Sequence, residues 1–80
     1  ENKFSELVVY PNPFNDYLKF SNISGPTKFS LMDNAGKLIK EYSMEDSTEP
    51  IDLSELKKGL YYIRIENSKI NTVRFVFKGN

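Results

Sequence analysis

Leu60-Tyr61-Tyr62-Ile63-Arg64-Ile65-Glu66 and, after a short polar break, Thr72-Val73-Arg74-Phe75-Val76-Phe77-Lys78 decide the fold of this 80-residue chain. Tyr61, Ile63 and Ile65 alternate with Tyr62, Arg64 and Glu66, which is the period of a half-buried strand. In the second run, Val73, Phe75 and Phe77 alternate with Thr72, Arg74 and Lys78, and Val76 breaks the pattern. The larger apolar set predicts that Val73, Phe75 and Phe77 face the core and that Arg74, Val76 and Lys78 face outward, with Lys78 at an exposed strand end. Asn67-Ser68-Lys69 closes these two strands into a hairpin, expected to be the central ladder of the fold.

Working outward, the same period recurs in shorter pieces. Leu18 and Phe20 oppose Tyr17 and Lys19, and Phe29 and Leu31 oppose Lys28 and Ser30. Asp33-Asn34-Ala35-Gly36 suits a turn in which Asp33 caps the bend and Gly36 takes positive φ, joining Phe29–Met32 to Lys37–Tyr42. Asp52 or Ser54 can cap a short helical turn through Leu56, which Gly59 terminates, with Leu53 and Leu56 turned inward. Before Tyr17 stands Pro11-Asn12-Pro13-Phe14, where two proline rings fix φ and remove amide donors, so no ladder runs through it. It makes a stiff corner whose one large apolar side chain, Phe14, is expected to plug the end of the core. About seven strands with frequent turns predict an all-β fold, a small antiparallel sandwich of immunoglobulin-like shape, rather than a βαβ fold.

Composition narrows the function. Eleven basic residues balance eleven acidic ones, so no net charge draws the chain to nucleic acid. There is no histidine and no cysteine, which removes the commonest general base, the thiolate nucleophile and the soft metal ligands together. Asn12, Asn15 and Asp16, like Asp33 and Asn34, carry oxygen ligands but not the spacing of a calcium loop, and turn-making explains both groups. The expectation is a chain with no catalytic residue, cofactor or metal. No apolar run reaches the roughly 20 residues of a bilayer-spanning helix, so direct membrane insertion is not expected. A single domain of this size buries only about 60% of the surface its unfolded chain exposes.

The proline corner, the segment Leu31-Met32-Asp33-Asn34-Ala35-Gly36-Lys37 and the segment Leu53-Ser54-Glu55-Leu56-Lys57-Lys58-Gly59-Leu60-Tyr61, in that order and spacing, resemble one family. The chain is similar to type A C-terminal sorting domains of the type IX, or Por, secretion system of Bacteroidetes, over about Tyr10 to Lys78. The resemblance implies a folded signal at the C-terminus of a cargo protein in the same chain, with residues 1–6 ending the linker and 7–80 forming the domain. It implies transit through the periplasm, recognition by an outer-membrane shuttle and translocon, arrival at the surface or outside the cell, and removal by a sortase-like peptidase. The positions that carry the family pattern are Pro11, Asn12, Pro13, Phe14, Asp33, Gly36, Leu56, Gly59 and Tyr61. On the final strand, Arg74, Val76 and Lys78 are the expected translocon contact, since an end strand offers backbone groups to a partner. The terminal Phe77-Lys78-Gly79-Asn80 departs from the apolar, lysine-rich tail common in the family.

One rival reading uses the tyrosines. Tyr10, Tyr17, Tyr42, Tyr61 and Tyr62 would form a sugar-stacking platform in a carbohydrate-binding or spacer module, although tyrosine suits strands in any case and tryptophan is absent. Asn22-Ile23-Ser24 matches an N-glycosylation acceptor, and Asp46-Ser47-Thr48 resembles the O-glycosylation acceptor of Bacteroidetes.

Overall fold

A computed structural model describes residues 7–23, 25–45 and 49–79. The linker assigned to residues 1–6, Ser24 of the first glycosylation pattern, all of Asp46-Ser47-Thr48 and the last residue lie outside the described residues.

The strands are β1 (Val8–Tyr10), β2 (Tyr17–Ser21), β3 (Thr27–Met32), β4 (Leu38–Met44), β5 (Ile51–Asp52), β6 (Gly59–Glu66) and β7 (Asn71–Lys78). They form a three-stranded sheet in the order β1-β2-β5 and a four-stranded sheet in the order β4-β3-β6-β7, every pairing antiparallel. This is the small all-β sandwich that the alternation and turn spacing predict. Leu18 and Phe20 from the small sheet meet Phe29, Leu31, Ile63, Ile65 and Val76 from the large one, all buried. The Phe20 and Phe29 rings pack with centroids 4.5 Å apart. Phe14 is fully buried, as the corner's one large apolar group requires.

Three expectations for β6 and β7 need correction. The β6–β7 hairpin exists, but the centre of the large sheet is β3 against β6, and β7 is an edge strand. The faces of β7 are reversed: Val73, Phe75 and Phe77 are exposed, whereas Val76 and Lys78 are 1% and 2% exposed. Lys78 is therefore not at an exposed strand end. Its main chain pairs with Gly59 on one side and bridges Phe14 on the other.

The reason is one residue of loop. Glu66 pairs with Asn71, so Ile70 belongs to the connection with Asn67, Ser68 and Lys69. Asn67 Oδ1 accepts bonds from the Lys69 and Ile70 amides, and the Asn67 amide donates to the Ile70 carbonyl. Counting Ile70 into the loop sets Tyr61 against Val76 and Ile63 against Arg74, and a one-residue change of register exchanges the two faces of a strand.

Ser30 lies on the outward side, as expected, but is covered there because β3 lies between β4 and β6, where its neighbours in register are Glu41 and Arg64. Asp52–Leu56 forms the single capped turn expected, with Leu53 buried and Leu56 packed on the core. The Leu56 amide reaches the Leu53 carbonyl, while Asp52 Oδ1 accepts from the Ser54 amide and hydroxyl.

Candidate functional site

The proline corner and the turn entering β6 meet the C-terminal half of β7, whereas Asp33 and Gly36 lie in the β3–β4 turn on the other side of β6. Both peptide bonds leading into the prolines, Tyr10–Pro11 and Asn12–Pro13, are cis. The corner places Asn12 beside the outer edge of β7, where its carboxamide does the work of a strand. Nδ2 donates to the Phe75 carbonyl at 3.1 Å and Oδ1 accepts from the Phe77 amide at 2.9 Å. Phe14 continues the contact with its main chain, its amide donating to Phe77 O and its carbonyl accepting from the Gly79 amide, both at 2.8 Å. Asn12 and Phe14 thus satisfy edge groups of β7 from Phe75 to Gly79, while the Phe14 ring fills the end of the core.

The other signatures are turns, one joining β3 to β4 and one leading from β5 into β6. Asp33 Oδ1 accepts from the Ala35 and Lys37 amides at 2.9 Å, and the Gly36 amide closes on the Asp33 carbonyl. Gly36 has φ +86°, where a side chain is strained. The Tyr61 ring is buried and its hydroxyl donates to the Lys57 carbonyl at 2.6 Å, tying the turn to the start of β6. Leu56 packs half-buried against the core, and Gly59 enters β6 with φ +149°. The Ser54 amide and hydroxyl, bonding to Asp52, hold that carboxyl below its ordinary pKa.

The outward face of the large sheet divides into two halves. Register aligns Leu38 of β4, Met32 of β3, Tyr62 of β6 and Phe75 of β7 in one row, with Leu60 opposite Phe77 beside it. Phe75 is 64% exposed, and the Tyr62 and Phe75 rings meet edge to face with centroids 5.0 Å apart. Towards the other end of the strands the rows turn polar. Glu41, Ser30 and Arg64 align with Val73, and Ser43, Lys28 and Glu66 with Asn71. There Lys28 lies 3.8 Å from Glu41, and Arg64 Nη1 donates to Asn71 Oδ1. An exposed apolar surface of this kind marks a contact site more often than a scatter of single residues does.

Of the residues expected to meet a partner, Val76 and Lys78 turn their side chains into the sandwich and Arg74 is half-buried. The exposed set on the same strand is Val73, Phe75 and Phe77. The signal that would have found it was the loop count, since inward Tyr61, Ile63 and Ile65 fix the inward residues of β7 once Ile70 is placed in the turn.

The tyrosines do not share one platform. Tyr61 is in the core, Tyr62 lies on the outer face of the large sheet, and Tyr42 has its hydroxyl buried. Only Tyr10 and Tyr17 share a surface, with Lys19, on the small sheet. An open groove there is lined by Pro11, Pro13, Asn15, Asp16, Tyr17 and Lys19.

Compared with known proteins, residues 8–78 match the model of the family described as secretion system C-terminal sorting domain. No curated protein matches the chain significantly.

Proposed function

The chain belongs to the type IX secretion C-terminal sorting domains, and from that premise we propose how this domain is read and what becomes of it. The domain is a sorting signal for the type IX system, and it directs export towards the outer membrane and the cell surface. In our reading it follows an upstream cargo domain in the same chain, with residues 1–6 as the end of the linker. The cargo passes through the periplasm, an outer-membrane shuttle and the translocon engage the folded domain, and a sortase-like peptidase removes it at the surface. The domain is then an address label and a substrate, not a catalyst.

The observation that carries the reading is the convergence of the proline corner and the turn before β6 on β7, with an exposed apolar half-face beside them. β7 is the strand we propose the machinery contacts. Val76 and Lys78 act through the fold, because their side chains are buried, and Arg74 stands half-exposed beside them. Val73, Phe75 and Phe77 offer the side-chain surface. A fluorescent protein carrying a periplasmic signal peptide and residues 1–80 at its C-terminus is expected to reach the surface or medium of a type IX-competent host. Equal export of the reporter without the domain would refute the reading.

A second reading rests on the groove beside Tyr17. Two prolines, an exposed tyrosine and the polar Asn15, Asp16 and Lys19 have the character of a shallow sugar subsite. A ligand that binds only the native state raises its melting temperature, so a rise with one glycan, lost in Tyr17→Ala, would favour a carbohydrate-binding module.

A further inference from the structure

We propose that the open half of the β7 edge, Asn71 to Phe75, is a docking edge for a second copy of this chain, paired antiparallel about Val73. This goes beyond the sorting role and needs no secretion component.

The corner shows which backbone groups of β7 point away from β6. The Phe75 carbonyl and both groups of Phe77 face Asn12 and Phe14. The β6–β7 ladder runs without a register shift from Glu66↔Asn71 to Gly59↔Lys78, and in an antiparallel ladder alternate residues face the same neighbour. Val73 and Asn71 therefore also turn their amides and carbonyls outward, as Phe75 does with its amide. Asn12 covers the edge only from the Phe75 carbonyl onward. Among the described residues, what remains is a short row of edge groups flanked by exposed Val73 and Phe75, a surface suited to strand addition.

Three observations commit the occupant to a second copy. Pairing Val73 with Val73 of the second copy sets Asn71 opposite Phe75 and Thr72 opposite Arg74, so the two Val73 bond reciprocally, each Phe75 amide meets an Asn71 carbonyl while Asn12 keeps the Phe75 carbonyl, and no like charges face each other. The same register puts each Phe75 diagonal to the other copy's Val73 on the outer face, extending the Tyr62–Phe75 contact into a shared apolar strip. The chain's net charge is zero, so two copies approach without overall repulsion. The other edge of the large sheet lacks this property. Pairing β4 over its whole length, Leu38 against Met44, would set Glu41 against Glu41, and charge on an edge blocks such pairing.

The test is sedimentation of the 80-residue chain from micromolar to millimolar concentration. The wild type is expected to pass reversibly from monomer to dimer. Val73→Pro is expected to stay monomeric with an unchanged circular dichroism spectrum, because the lost amide faces outward and no β6–β7 bond goes with it. Should Val73→Pro fail to fold, Val73→Lys tests the same edge through charge. With no native cysteine, Val73→Cys is expected to cross-link with a short bis-maleimide in the dimer, while Ile39→Cys on β4 is not. A wild type that sediments as a monomer throughout overturns the proposal. Edge variants that dimerise like wild type, or equal cross-linking through Ile39→Cys, overturn it as well. None of these results bears on whether the reporter is exported.

Discussion

Gly36 sits at φ +86° with nothing within 4 Å of where a Cβ would stand, so its demand is purely one of backbone. Gly36→Val forces a β-branched residue into the left-handed region at a cost on the order of 1–3 kcal/mol. Gly36→Asn, whose side chain tolerates that region, is expected to lose less, and urea titration of both variants checks the order. Lys78 poses a different problem, since it is 2% exposed between Gly59 of β6 and Phe14 of the corner. Lys78→Glu shortens the stem and places a carboxylate where a long cationic chain packs, and should cost more than about 2 kcal/mol. Lys78→Met keeps the unbranched stem and should be milder; if the two lose the same stability, the cost lies in the lost ammonium. The Asp33 cap and the Gly36 conformation were legible in the sequence because their chemistry is local: an acid at the start of a turn and the one residue type free at positive φ. The burial of Lys78 was not legible, because it depends on which face of β7 turns inward.

That face is settled by the hairpin as an element, not by the strand's composition. Both alternating sets of β7 contain apolar residues, Val73, Phe75 and Phe77 in one and Val76 in the other, so hydrophobicity favours the wrong one. The Asn67 side chain decides by bonding to the Lys69 and Ile70 amides, a choice the pattern Asn-Ser-Lys-Ile does not announce. The corner was legible as a break, since two prolines forbid a ladder. Its grip on β7 was not, because Asn12 meets Phe75 and Phe77 across more than sixty residues of sequence. Asn12→Ala removes both bonds from an exposed site and is expected to cost about 1–2 kcal/mol. The specific readout is amide exchange, which should accelerate at Phe77, whose donor loses its acceptor, while Tyr61 in the interior of β6 keeps its protection. Unchanged exchange at Phe77 would mean that the carboxamide does not hold the edge in solution.

At the scale of the whole molecule, a small sandwich has one core between its sheets and two outer faces, and only the core is needed for folding. Among the described residues, thirteen buried apolar side chains form the core, drawn from both sheets, the turns and the corner. The outer face of the large sheet still carries Leu38, Leu60, Val73, Phe75 and Phe77 exposed. Stability and recognition should therefore separate on a single strand. Phe75→Ser, at 64% exposure, removes apolar surface that water already reaches, and stability should change by no more than about 1 kcal/mol. Val76→Ser, one residue on and 1% exposed, leaves a cavity and buries a hydroxyl, which should cost on the order of 2 kcal/mol or more. Measured together, melting temperature and extracellular yield of the fused reporter distinguish the two roles. Val76→Ser should lose yield in step with stability, whereas Phe75→Ser should lose yield while melting close to wild type. A Phe75→Ser reporter exported as well as wild type would show that the machinery does not read this face. The contact would then have to be sought at the main-chain edge of β7 or on the small sheet around Tyr17.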